Sequence, residues 1–97
     1  MPVDLHTLEH AQRPLRDRIV EFLSKNPGTA FNEYEVYAAV EGFTPESAAA
    51  LALLVMVSNR RPAGYDECRE ALETLVAEGH IDAAQFQGSR QYYVRPA

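Results

Sequence analysis

Cysteine occurs once, at Cys68, which excludes an intramolecular disulfide and suits a reducing cytoplasm. Long apolar runs are missing too. The most apolar piece, residues 48–57, is about half the length a membrane-spanning helix requires. The N-terminus MPVDLHTLEH has neither a basic flank nor an apolar centre, so no secretory signal is expected. No internal repeat or low-complexity linker interrupts the 97 residues, a length that suits one domain, 1–97, with a single modest core. A Ser-His-Asp order, a phosphate-binding glycine loop and a paired-carboxylate site are also lacking. We therefore expect neither an enzyme nor a bound cofactor.

Basic charge is scarce and unevenly placed. The net charge is −5; residues 1–31 balance four bases against four acids, whereas residues 32–59 hold four acids and no base. Residues 60–97 carry five bases and six acids, so the only basic footprints are Arg60-Arg61 and the pair Arg90 and Arg95. A phosphate-gripping surface needs a basic footprint, and here it can only be local.

What is present is helical periodicity followed by a hairpin. Val3 to Gln12 carries Leu5, Leu8 and Ala11 at helical spacing, a short helix or docked arm. Pro14 suits the first turn of a helix over 14–25 whose inner face is Leu15, Ile19, Phe22 and Leu23; Asn26-Pro27-Gly28 ends it. Thr29 to Phe31 reads as an extended link. Asn32 with Glu35 three residues on is a capping box for the next helix, whose inner face is Val36, Tyr37 and Val40 and whose stop is Gly42. Thr44-Pro45-Glu46 starts another helix, apolar nearly all round, which belongs at the domain centre or against a partner chain; Arg60-Arg61-Pro62 stops it. Asp66 is the expected cap of a helix with Cys68, Ala71, Leu72, Leu75 and Val76 inward, ended by Gly79. Two strands then meet at Gly88-Ser89, a type II′ loop that would pair Gln87 with Arg90, Gln85 with Tyr92 and Ala83 with Val94. Ile81, Ala83, Tyr92 and Val94 would share the core face, with Phe86 and Tyr93 opposite.

Three side-chain groups invite chemistry and have plainer readings. His6, Glu9 and His10 would set two imidazoles one helical turn apart, able to share a zinc ion, yet so short a motif arises by chance and a solvated helix is preferred. Cys68 lies near a helix start, where thiols become reactive, but it sits on the apolar stripe and reads as a small buried hydrophobe. Phe86, Tyr92 and Tyr93 could stack on bases, although hairpin tyrosines beside a helical core usually pack. The candidate nucleic-acid residues are Arg60, Arg61, Arg69, Gln87, Ser89 and Arg90, with Gln85 and Gln91 beside them. Arginine and glutamine can contact base edges bidentately, and arginine can clamp phosphate.

The segment REALETLVAEGHI, followed by a strand, a short turn and QYYVRP, resembles the recognition helix, glycine stop and wing of the winged helix-turn-helix family. The expected fold is mainly α with a small β-hairpin wing: an N-terminal arm over 1–13, a helical core over 14–79 and the wing over 80–95. An extra helix, Thr44–Asn59, departs from the family pattern, as does a third helix with Asp66, Glu67, Glu70, Glu73 and Glu78 against Arg69 alone. The resemblance implies a cytoplasmic transcriptional regulator that binds double-stranded DNA as a homodimer. Arg90 would lie on the minor groove or backbone, Arg69 would read the major groove, and 48–57 or the arm would supply dimer contacts. The acidic helix supports an alternative, a protein-interaction module docking on a basic partner.

Overall fold

Leu15, Ile19 and Leu23 fall on one stripe, and that stripe is where the core begins. The computed structural model describes Asp4, Leu5 and residues 14–96. The expected arm and its histidine pair, His6 and His10, lie outside the described residues. The order is α1 (Leu15–Ser24), β1 (Phe31–Asn32), α2 (Glu33–Val40), α3 (Pro45–Ser58), α4 (Tyr65–Ala77), β2 (Asp82–Phe86) and β3 (Ser89–Tyr93). The fold is mainly α with a β-hairpin, an arrangement compatible with a winged helix. Among the described residues no helix is long and apolar enough to cross a membrane.

Helices α1, α2 and α4 pack on one another, and α2 also packs on β1 and β3. Ile19, Leu23, Val36 and Leu72 are wholly excluded from solvent, with Leu75, Tyr65, Cys68, Ile81 and Tyr92 around them. Each such aliphatic side chain contributes roughly 1.5–3 kcal/mol by leaving water. The capping box forms as the spacing requires: Glu35 N–H donates to Asn32 Oδ1 at 2.9 Å, and Asn32 N–H donates to Glu35 Oε1 at 2.8 Å. Arg18, on the polar side of α1 by sequence, is half-buried and donates to the Val40 carbonyl at 3.2 Å, serving an orphan acceptor at the end of α2.

Three local expectations are corrected. The extended link over 29–31 runs into a two-residue strand: Phe31 pairs with Tyr92 and Asn32 with Gln91, so the sheet order is β1-β3-β2 and one hairpin edge is covered. The hairpin turns at Gln87-Gly88, not Gly88-Ser89. Both residues have positive φ, 50° and 77°, the signature of a type I′ turn, whose twist matches the strands. Phe86 pairs with Ser89, Gln85 with Arg90 and Ala83 with Tyr92. Each strand moves by one residue, so parity survives and the expected face assignment holds: Ile81 and Tyr92 are buried and Phe86 is exposed. The observed register sets the large Tyr92 ring against small Ala83 instead of Gln85. Finally, Asp66 does not cap α4. Gly64 occupies that position in a left-handed conformation, φ 83°, and Asp66 lies inside the first turn. Tyr65, the first residue of α4, is core, and the Ala63 carbonyl before Gly64 accepts from the Tyr37 hydroxyl at 2.7 Å.

The apolar helix α3 is not buried at the domain centre; one side of it is exposed. It packs chiefly on α2, with Ala48 buried and Leu51 touching the core cluster. Leu53 is 64% exposed, Leu54 45%, Met56 73% and Val57 76%.

Candidate nucleic-acid interface

The helix–wing face is built from α4 outward. Its inward positions Tyr65, Cys68, Leu72 and Leu75 are buried, which turns Asp66, Glu67, Arg69, Glu70, Glu73 and Thr74 to solvent. An open groove of about 680 Å³ runs along this side, lined by Arg61, Asp66, Arg69, Glu70, Glu73 and Thr74. Arg61 and Arg69 thus share one groove, and Arg90 reaches it from β3 through Glu73.

Each of these three arginines meets a carboxylate. Arg61 Nη1 donates to Asp66 Oδ1 at 2.7 Å, and this bond raises the guanidinium pKa further above its usual range. Arg69 Nε stands 3.5 Å from Glu33 Oε2, across the gap to α2. Arg90 Nη2 donates to Glu73 Oε2 at 3.0 Å. Its Nε lies 2.6 Å from Oε1 but is not aligned to donate, so the ion pair is close while that N–H is left without a hydrogen-bond acceptor. The same guanidinium lies over the Tyr92 ring, 5.6 Å from its centre, and the Tyr92 hydroxyl donates to Glu73 Oε1 at 3.2 Å. Burial, and then Glu73, push the Tyr92 phenol up to about 12.

The other candidates lie apart from this groove's lining. Arg60 is exposed and makes no ion pair among the described residues. Gln87 forms half of the turn, exposed, and Ser89 accepts from Gln91 Nε2 at 3.2 Å. Sequence reasoning did not single out Glu73 and Tyr92 as partners of Arg90. The 17 residues between Glu73 and Arg90 carry no local signal, although a carboxylate on the outer helix face opposite a hairpin arginine was a usable hint; Tyr92, two residues from Arg90 on the same strand face, was legible locally.

Cys68 is buried, and burial, followed by Glu41 and Glu33, pushes its thiol up to about 12. A thiol held protonated is a poor nucleophile, in keeping with a packing role. Among the described residues no cluster of three or more His, Cys, Asp or Glu side chains is placed to hold a metal ion.

No family model matches the chain, and no curated protein or solved structure matches it either.

Proposed function

We propose that this chain is a winged-helix protein-interaction module whose α4 face docks on a basic partner. The observation that carries the reading is a contrast along α4. The arginines beside it are held by carboxylates, whereas Glu67 and Glu70 are exposed with no ion pair among the described residues. The groove is lined by two arginines and three carboxylates. Phosphates brought to that groove would meet Glu70 and Glu73 at short range, each like-charge contact costing roughly 0.5–1 kcal/mol after screening. A lysine- or arginine-rich surface would meet the same side chains favourably.

The test is fluorescence anisotropy of two labelled probes, a random DNA duplex and a Lys/Arg-rich peptide, at matched low ionic strength. Peptide binding that Glu67→Lys with Glu70→Lys abolishes is the expected result. Duplex binding that weakens steeply with salt would overturn the reading.

One observation favours a second reading, a DNA-binding regulator. Arg61 and Arg69 line one groove and Arg90 stands beside it, and their pairs are solvent-exposed, the class of ion pair that exchanges partners at little cost. On that reading Arg90→Ala and Arg69→Ala each weaken duplex binding and flatten its salt dependence.

A further inference from the structure

The outward side of α3 has a pattern of its own. Positions 46, 49, 50, 53, 56 and 57 project on one side of a 3.6-residue helix, and all six are exposed. Glu46 stands at the first turn, Ala49 and Ala50 follow, Leu53 is central, and Met56 and Val57 come last. Arg60 follows two residues beyond the helix end, past left-handed Asn59. The stripe therefore runs from an acid through small residues to large ones and then to a base. Neither Glu46 nor Arg60 has an ion pair among the described residues.

Such a sequence of features is self-complementary in one orientation. Laid antiparallel on a second copy and centred on Leu53, Ala50 faces the partner's Met56, Ala49 faces the partner's Val57, and Glu46 in the first turn comes to the end where the partner's Arg60 follows the helix. Small side chains oppose large ones, acid opposes base at both ends, and the two helix dipoles run against each other. We infer that α3 is the interface of a homodimer, an antiparallel helix pair about a two-fold axis at Leu53.

Other occupants fit less well. An anionic lipid surface attracts helices with a basic polar face, and residues 32–59 hold no base. A strongly charged protein would find a single charge, Glu46, on the helix. Leu53, Met56 and Val57, 64–76% exposed, are the large apolar side chains that a second copy would cover. The inference is independent of what α4 binds.

Sedimentation equilibrium of the full chain with its variants tests this. The wild type is expected to be dimeric at about 100 µM, and Leu53→Glu monomeric with an unchanged helical circular-dichroism signal. Glu46→Arg and Arg60→Glu are each expected to weaken dimerisation by about tenfold, and the double variant to recover most of that loss. Leu53→Cys reports the register directly, since oxidation should join two copies at the axis while buried Cys68 stays reduced. A wild type that stays monomeric at about 1 mM overturns the proposal and leaves the face to another protein or to lipid. So does a dimer in which Leu53→Glu changes nothing, or one in which the charge reversals show no mutual rescue. Should Leu53→Glu fail to fold, the Glu46 and Arg60 exchange on exposed positions decides alone.

Discussion

Arg90 and Glu73 join the hairpin to α4 by a two-point contact, Nε to Oε1 at 2.6 Å and Nη2 donating to Oε2 at 3.0 Å. Glu73→Gln removes the charge and keeps the shape. Both side chains are more than a third exposed, so solvent screening limits the loss of folding stability to ~0.5–1 kcal/mol, measurable by urea denaturation. The same variant separates the two functional readings. A freed Arg90 raises duplex affinity if the wing grips DNA and changes nothing there if it does not.

Alkaline pH should destabilise the fold in a defined window. The Cys68 thiol rises from its ordinary 9.0 to about 12, and the Tyr92 phenol from 10.0 to about 12, both chiefly through burial; Tyr65 is raised for the same reason. These groups are neutral when protonated, so the folded chain keeps protons that the unfolded chain has released. Their contribution is complete below about pH 9 and is lost as pH climbs towards about 12. Urea midpoints should decline across that range. In Cys68→Ala the decline should begin about one pH unit higher, where the tyrosines take over.

Packing and surface leucines should separate cleanly. Leu72→Ala empties a fully buried site and is expected to cost about 2–4 kcal/mol, seen as a lower urea midpoint. Leu54→Ala, on the open side of α3, should change monomer stability by less than about 0.5 kcal/mol.

The turn gives a test of register. Gln87 holds φ 50°, a conformation asparagine adopts more readily, so Gln87→Asn should raise stability by a few tenths of a kcal/mol, roughly 0.3–0.5. Gly88→Ala, at φ 77°, should lower it by about 1 kcal/mol; thermal melts read both.

What could be read in advance was whatever a few neighbouring residues decide. Asn32 and Glu35 cap α2 because both partners lie within one turn, and Cys68, Leu72 and Leu75 turn inward because helical spacing compels it. Where distant pieces decide, local rules point elsewhere. Phe31 becomes a strand only because β3 offers it an edge, and Gly64 takes the cap position from Asp66 where Tyr37 of α2 holds the preceding carbonyl. The candidate arginines were legible as residue types. Their carboxylate partners were not, because Glu33 lies 36 positions from Arg69 and Glu73 17 from Arg90.

Tyr37 touches both ends of the excursion that contains α3, its ring against Phe43, 6.2 Å between centres, and its hydroxyl on the Ala63 carbonyl. Departure and return are thereby moored to one side chain. The segment from Thr44 to Pro62 leaves and rejoins the fold beside one side chain, and what it gives the core is Ala48, Leu51 and its packing on α2. A lineage could re-edit the exposed side of α3 without renegotiating those contacts.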